Sequence, residues 1–420
     1  MHLSALLGQS LAAGSGEPVA KVDDVIVRLR GEQYPLVTGL VGRLSRRQVF
    51  VPAAKIADWD ARPVTLTGAT LSLRAFERRD GEVLLRTDIL GHRLIDVAEA
   101  ELVQAFDVEL DVTDEGLVVS CLDTRRPPRL FGLLRRGAGH PSRDWKAFEP
   151  LIGHTPSALA RGVFGRVRRL KPAQIADLLE DADRDEGEEI LHQVHADPEL
   201  EADVFEELDP ELATRLFAGR SDAEVAQILG RMRADDAADA LADLPQRRRQ
   251  ALLDALPIGQ RTKVVTLLGY NPSSAGGLMN VDILTVGTAV SVDAAVDAVS
   301  AARALQPEAL NSVHVVDAEG RLHGVVALVK LLQAAAATPL AELLDEDPVR
   351  VAPGTDVVDV ALLMADYNLI TVPVVDDDDR LLGVITVDDV LEATIPEDWR
   401  RREPPARPEP AEDAAAGRGE

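Results

Sequence analysis

Residues 372–390, which read VPVVDDDDRLLGVITVDDV, decide the fold of the C-terminal part of the chain. Two apolar runs, 372–375 and 381–386, enclose a short acidic turn, and two aspartates follow the second run. Apolar runs of this length bounded by turn residues predict buried strands, and acids placed after them are typical of the first turn of a helix. The stretch therefore predicts a unit of strand, turn, strand and helix.

An earlier part of the chain repeats this unit. The runs Ser312–Asp317 and Arg321–Ala327 correspond to Leu369–Asp376 and Arg380–Thr386, and an acidic turn lies inside each pair. Self-similarity of this kind indicates an internal structural repeat. The repeat resembles two CBS domains, which together form a Bateman module, so we expect a tandem CBS module here.

Four residues of the second repeat are candidate nucleotide ligands: Gly383, Thr386, Asp388 and Asp389. Gly383 permits a close backbone approach, and Thr386 ends the strand three residues before Asp389, so a hydroxyl and a carboxylate converge. The resemblance to CBS domains implies that Thr386 and Asp389 contact the ribose of an adenine nucleotide. The alternative is that Thr386 and Asp388 cap a helix while Asp389 is solvated in its first turn. Residues 324–330 of the first repeat lack both groups, so we expect no ribose contact there.

The segment Pro172–Leu268 is acidic and carries recurrent turn and cap signals. Asp209 before Pro210 is the pattern of an N-cap followed by a first-turn proline. Ser221 with Glu224 has the spacing of a capping box. The segment therefore predicts short helices stacked into a small superhelix.

Residues 269–279, which read GYNPSSAGGLM, follow this helical segment. They resemble the junction in MgtE magnesium channels at which the helical domain meets the first CBS repeat. The order of acidic helices, junction and two CBS repeats resembles the complete cytosolic part of MgtE over Pro172–Asp398. We expect the membrane pore that follows in that family to be absent.

The resemblance to MgtE also implies magnesium held between carboxylates of the helical and CBS domains. Hard cations prefer oxygen ligands, and magnesium keeps several waters, so few protein ligands are needed. The alternative is that each acid belongs to a solvated helix face. The candidate ligands are Asp389, Glu392, Glu397 and Asp398 in the second CBS repeat and, by location, Glu206, Glu207, Asp235, Asp236 and Asp239 in the helical domain.

The N-terminal part, Val19 to about Leu134, consists of short β-type runs separated by turn residues. The dipeptide Asp80-Gly81 predicts a tight turn in a hairpin over Ser72–Arg86. Two similar halves, Val25–Pro52 and Leu71–Ile95, together resemble the PRC-barrel family. We therefore expect a small β-barrel-like domain.

Composition limits the classes of partner. The chain has 71 acidic against 45 Lys and Arg residues, a net charge of -26, and only 3% aromatic residues, which disfavours nucleic-acid binding and favours cations or basic partners. The acidity is equally explained by solubility. The single cysteine, Cys121, excludes an intramolecular disulfide and a cysteine-based zinc site. His192 and His195 lie one turn apart, but no third metal ligand is evident beside them, which favours a solvated or capping pair.

These observations predict a multidomain α+β protein with a β-barrel-like domain, a helical superhelix and a tandem CBS module. The predicted segments are 1–134 (β domain), 135–170 (linker), 171–269 (helical domain), 270–337 and 338–398 (CBS repeats) and 399–420 (disordered tail). No stretch approaches the roughly 20 apolar residues of a spanning helix. No nucleotide-hydrolysing loop, nucleophile elbow, metalloprotease or dinucleotide motif occurs, so we expect no enzyme.

We expect a soluble, cytoplasmic regulatory protein that senses magnesium, an adenine nucleotide or both. The family resemblance implies a homodimer formed through the CBS domains, and the regulatory readout requires a protein partner that the sequence does not identify. The alternative is a non-catalytic scaffold in which the β domain docks a partner and the CBS pair serves only to dimerise.

Overall fold

The computed structural model describes residues 1–68, 75–124, 142–151, 165–303, 305, 307 and 309–395. Backbone contacts divide the chain into two compact units, Met1–Met232 and Arg233–Glu420. The boundary lies inside the predicted helical domain, so its helices are shared between the two units. Some predicted features lie outside the described residues, namely most of the 135–170 linker, the candidate ligands Glu397 and Asp398, and the 399–420 tail.

The first unit begins with a β-rich part. Its elements are α1 (Leu3–Leu6), β1 (Ser10–Ala12), β2 (Pro18–Arg30), β3 (Gln33–Leu44), β4 (Arg47–Pro52), β5 (Ile56–Asp58), β6 (Val64–Leu66), β7 (Glu82–Leu84), β8 (Arg93–Asp96), β9 (Glu101–Gln104), β10 (Asp107–Thr113), β11 (Gly116–Asp123), β12 (Arg143–Asp144) and β13 (Phe148–Pro150). The large sheet has the order β10-β11-β3-β2-β1-β6-β5, and β4, β7 and β12 attach to β3, β2 and β11. Strands β13-β8-β9 form a second sheet.

The antiparallel pair β2 and β3 provides much of the core of this part. Apolar side chains such as Val25, Val27 and Val37 are almost fully buried and join Trp145 and Phe148 in one cluster. Burial of apolar surface at about 25 cal/mol per Å² is the main stabilising contribution for such a sheet. The predicted β-rich N-terminal part is therefore confirmed, and the PRC-barrel resemblance stays an interpretation.

The hairpin predicted over Ser72–Arg86 is wrong in its pairing. Gly81 has a φ of 79°, as a tight turn requires, but β7 pairs with β2, with Val83 opposite Val27. Of the predicted first run, residues 75–79 contain only an isolated bridge from Ala75, and 72–74 lie outside the described residues. The physical reason is that Val83 is completely buried in the core cluster beside β2, a gain that a free-standing two-stranded hairpin does not offer.

The helices of the first unit follow the predicted signals. They are α2 (Pro172–Asp181), α3 (Arg184–Val194), α4 (Pro198–Glu206), α5 (Pro210–Ala218) and α6 (Asp222–Leu229). Asp209 accepts from the Glu211 amide at 2.9 Å, and Ser221 and Glu224 form the predicted capping box. Arg93 of β8 donates to Glu186 of α3 at 2.9 Å, which ties the β-rich part to the helices of the same unit.

The second unit contains the last helices of the helical segment and the two repeats. Its elements are α7 (Ala234–Asp243), α8 (Gln246–Ala255), α9 (Ile258–Leu267), α10 (Ala275–Leu278), β14 (Thr285–Gly287), α11 (Val292–Ala301), β15 (Ser312–Val316), β16 (Leu322–Ala327), α12 (Leu328–Gln333), α13 (Val357–Tyr367), β17 (Thr371–Val375), β18 (Leu381–Thr386) and α14 (Val387–Thr394). Helices α7 and α9 pack together, as do α13 and α14.

The two repeats share one strand register. Ser312 pairs with Ala327 across β15 and β16, and Thr371 pairs with Thr386 across β17 and β18. In both pairs the register shifts before the last pair of residues. Reciprocal contacts join the copies, because the Leu322 amide donates to the Asp379 carbonyl and the Leu381 amide to the Gly320 carbonyl, at 2.8 and 3.0 Å. The repeats therefore face each other about an approximate two-fold axis.

Candidate functional site

The predicted ribose ligands meet where β18 ends and α14 begins. Thr386 is 1% exposed, and its hydroxyl donates to Asp389 Oδ2 at 2.6 Å. The Thr386 amide donates to the same oxygen at 3.3 Å, which completes a capping box. Asp388 is also within hydrogen-bond distance of the Thr386 hydroxyl. The local sequence explains this arrangement, because a threonine three residues before an acid satisfies the first free amides of a helix.

Asp389 is buried by this arrangement, with 8% of the residue exposed. Burial raises the pKa of its carboxyl, while the hydrogen bond from Thr386 and the charge of Arg233 lower it. The predicted alternative in which Asp389 is solvated is therefore wrong, and the alternative that Thr386 caps the helix is correct. The cap thus uses the same two groups that the resemblance to CBS domains assigns to ribose contact.

Asp389 has a second neighbour that the sequence analysis missed. Arg233, the residue before α7, lies with Nη1 3.3 Å from Asp389 Oδ1 and also donates from Nε to Asp236. The two contacts place one guanidinium between carboxylates of α7 and α14. The spacing of Arg233 and Asp236 is a local signal for one of these contacts, but no sequence signal links Arg233 to a residue 156 positions away.

Asp235 lies in the same cluster. It is 7% exposed, and its Oδ1 atom has no hydrogen-bond partner within the described part of the chain. Burial, reinforced by the charge of Asp389 and opposed by that of Arg233, raises the pKa of Asp235 to about 7. Among the described residues, the Arg233 guanidinium contacts Asp236 and Asp389, and its charge also acts on Asp235.

Asp239 and Glu392 form a neighbouring acidic pair on α7 and α14. Partial burial of the Asp239 carboxylate, although the residue as a whole is exposed, raises its pKa to about 6, and the charges of Asp243 and Glu392 add to the shift. Of the predicted metal ligands, the second unit thus groups Asp235 and Asp236 with Asp389, and Asp239 with Glu392. Glu206 and Glu207 lie at the end of α4 in the first unit.

Over the described ranges, no three His, Cys, Asp or Glu side chains are arranged to hold one metal ion. The predicted carboxylates therefore form no closed metal cage among these residues. Magnesium, however, is commonly held by one or two carboxylates plus waters. One carboxylate from α7 and one from α14 would meet this requirement.

Gly383 permits a close backbone approach, as predicted, and its role toward a nucleotide stays a prediction. A Cβ atom at this position would lie 2.8 Å from the Asn280 carbonyl oxygen and 2.8 Å from Met279 Cγ. The backbone that approaches closely is therefore the chain's own, and Asn280 and Val384 exchange hydrogen bonds there. A Cβ atom added at Gly324 in the first repeat would likewise lie too close to the backbone, 2.3 Å from the Asp345 carbonyl oxygen. The absence of a side chain at each glycine leaves room for the backbone of the segment that precedes the other repeat.

The first repeat has no equivalent of the candidate ligands. The shared register places Ala327 where the second repeat has Thr386, and Lys330 follows where Asp389 would lie. Ala327 provides no side-chain cap for α12. The prediction that this half makes no ribose contact stays a prediction.

His192 of α3 and His195, which directly follows that helix, border a cavity of about 420 Å³ in the first unit. His195 Nδ1 lies 2.9 Å from Glu201 Oε2, and Arg220 pairs with the other oxygen of Glu201 at 2.8 Å. Glu201 thus has a partner at each of its two carboxylate oxygens. The predicted non-ligating role of His192 and His195 stays a prediction.

The helices among the described residues include none that is both long and apolar enough to cross a bilayer. Residues 170–273 match the family model of the MgtE intracellular N domain, and residues 340–395 match that of the CBS domain. The predicted combination of an MgtE N domain with CBS sequence is therefore confirmed.

Curated relatives support the same assignment. The chain is 38% identical to the magnesium transporter MgtE of Thermus thermophilus over 161 residues, which is 38% of this chain and 36% of that protein. It is 25% identical to MgtE of Bacillus subtilis over 198 residues, 46% of this chain and 43% of that protein. The chain thus spans less than half the length of these relatives.

Solved structures show the same fold. The cytosolic domain of the magnesium channel MgtE in complex with ATP aligns with a TM-score of 0.51 and 30% identity, over 54% of this chain and 91% of that one. The soluble part of a magnesium transporter aligns with a TM-score of 0.51 and 26% identity, over 56% and 91%. The similarity covers about half of this chain and nearly all of each solved chain.

Proposed function

We propose that this chain, which combines an MgtE-type N domain with a CBS pair, is a cytoplasmic, non-catalytic regulatory protein that binds an adenine nucleotide and responds to magnesium. The observation that carries the proposal is the buried pair of Thr386 and Asp389 at the start of α14. A related cytosolic domain was solved with ATP. The proposal extends that ligand class to this chain.

The nucleotide half of the proposal rests on hydrogen-bond chemistry. The two hydroxyls of a ribose are donors and acceptors, and the Thr386 hydroxyl with the Asp389 carboxylate offers both complementary functions within 2.6 Å. A carboxylate acceptor forms charge-assisted hydrogen bonds, which are shorter and stronger than neutral ones. The second repeat is therefore the proposed binding half, with Asp388 beside it.

The magnesium half rests on the buried carboxylate of Asp235. Asp235 is buried beside Asp389, and one of its oxygens has no donor among the described residues. A divalent cation would neutralise such a pair and favour the state in which α7 and α14 lie together. Asp236, Asp239 and Glu392 belong to the same proposed cation-responsive surface.

We also propose that the CBS module forms a homodimer. Large apolar side chains on its helices are more than half exposed: Val329 and Leu332 on α12, and Val358 and Leu362 on α13. A second copy would bury them. Sedimentation of Leu332→Asp and Leu362→Asp, with Ile258→Asp on α9 as the control, tests this: only the first two changes should give monomers.

Calorimetric titration with ATP, ADP and AMP, each with and without magnesium, tests the nucleotide site. We expect wild type to bind at least one of them and Thr386→Ala and Asp389→Asn to lose at least tenfold in affinity. Ser221→Ala is the matched control, since it removes the capping box of α6, which has no proposed ligand. Unchanged binding in both α14 variants would refute the site.

Magnesium titration followed by X-ray scattering and amide exchange of α7 tests the cation response. We expect Asp235→Asn and Asp239→Asn to weaken the response to magnesium. Asp377→Asn is the control: it lies at the other end of β18 and should leave the response unchanged. A protein that ignores both nucleotides and magnesium would instead favour the scaffold alternative, tested by partner capture with and without the N-terminal β-rich part.

A further inference from the structure

Arg233 connects the helical segment to the candidate ligand site within the second unit. Its side chain is 22% exposed, and Asp389, which it contacts at 3.3 Å, has a side chain that is 8% exposed. The contact is thus shielded from bulk water on the Asp389 side. Shielded charge pairs are screened by salt much less than exposed ones.

The contact completes the coordination of Asp389. Oδ1 faces Arg233 Nη1 at 3.3 Å, and Oδ2 accepts from the Thr386 hydroxyl at 2.6 Å. Both oxygens therefore have donors. A ligand that uses the Asp389 carboxylate must share it with Arg233 or displace the guanidinium.

The charges determine which ligands compete. Arg233 supplies one positive charge to Asp236 and Asp389, and Asp235 lies buried beside them. A neutral ribose hydroxyl can be accommodated next to the guanidinium, because it adds no positive charge. A metal cation cannot share the same oxygen with Arg233 without like-charge repulsion.

We propose that Arg233 is an internal counter-cation that competes with divalent metal ions for Asp389 and thereby sets the magnesium threshold of the site. The proposal rests on the proposed magnesium response and adds the residue that tunes it. Removal of the guanidinium leaves Asp235, Asp236 and Asp389 without their shared positive charge. The site then attracts a divalent cation more strongly.

Titration of the full chain with MgCl2 alone, free of nucleotide, tests the proposal. We expect Arg233→Gln to bind magnesium about tenfold more tightly than wild type, which corresponds to about 1.4 kcal/mol. Arg233→Lys should stay near wild type because it keeps the charge. Arg261→Gln is the matched control, since Arg261 pairs with Asp254 at 2.8 Å on an exposed part of the same unit.

Magnesium binding that is unchanged or weaker in Arg233→Gln, while Asp389→Asn loses it, would overturn the competitor role and leave the magnesium response intact. Absence of magnesium binding in every variant, Arg233→Gln included, would overturn both. These two failures are therefore distinguishable in one set of titrations.

A ligand-independent measurement covers the case in which Arg233→Gln folds poorly. A double-mutant cycle of Arg233→Gln and Asp389→Asn, followed by urea unfolding, measures the coupling of the pair. We expect the effect of the double change on the unfolding equilibrium constant to differ at least fivefold from the product of the two single effects. Agreement within twofold would show that the guanidinium does not interact with Asp389, and the competitor role would fall with it.

Discussion

The Thr386 hydroxyl donates to the Asp389 carboxylate at 2.6 Å, inside the capping box that begins α14. The pair is both a helix cap and the proposed ribose contact. Loss of the cap should therefore affect stability even without nucleotide. Stability measured without nucleotide therefore separates the structural role of the pair from its ligand role.

Thr386→Ala should lower the free energy of unfolding by about 1–2 kcal/mol, because an N-cap and a donor to a buried acid are both lost. Thr386→Ser keeps the hydroxyl and should lose less than half of that. Urea unfolding followed by circular dichroism measures both. Equal losses in the two variants would show that the methyl group, and not the hydroxyl, stabilises this position.

Gly383→Ala should destabilise the second unit by about 2 kcal/mol, since overpacking a close backbone contact costs about 1–3 kcal/mol. The added Cβ would lie 2.8 Å from the Asn280 carbonyl oxygen. Gly354→Ala is the control, because no atom lies within 4 Å of its added Cβ. Thermal unfolding of the two variants should show a loss only for Gly383→Ala.

Asp235 should make the second unit less stable as the pH rises. Its folded pKa of about 7 lies above the ordinary value of 3.8. The contribution of this carboxyl to the free energy of unfolding is therefore fully present below pH 3.8 and is lost as the pH rises through about 7. Between pH 5 and pH 8, Asp235→Asn should gain about 3 kcal/mol of stability relative to wild type, from about 1.4 kcal/mol for each of the roughly two pH units between pH 5 and the folded pKa of about 7. Unfolding in EDTA between pH 5 and 8 measures the difference. A gap that does not grow with pH would contradict the prediction.

His314 should have the opposite pH dependence. It is completely buried in β15, both ring nitrogens lack partners among the described residues, and burial lowers its pKa from 6.5 to about 4. The contribution of the His314 imidazole to the free energy of unfolding is fully present above pH 6.5 and is lost as the pH falls through about 4. His314→Leu should therefore be less acid-sensitive than wild type, by about 2 kcal/mol at pH 5. Parallel acid-unfolding curves for the two proteins would refute this.

The positions of Thr386 and Asp389 were predictable because a capping box is local. Three residues of chain separate its two partners, and the backbone geometry of a helix start brings them together. The same applies to Ser221 and Glu224 of α6. Arg233 was not predictable, because its contact with Asp389 depends on how α7 packs against a repeat that lies far along the chain.

The sequence by itself determined the local elements and the internal repeat, since hydrophobic spacing, caps and turn residues act over a few positions. Only the tertiary structure decided that β7 pairs with β2 and that the Asn280 backbone packs against Gly383. The same holds for the Arg233 guanidinium, which contacts both Asp236 and Asp389. Long-range pairings follow from competition among all apolar surfaces and charges of the folded unit. Their partners are therefore decided by which arrangement buries the most surface and neutralises the buried acids.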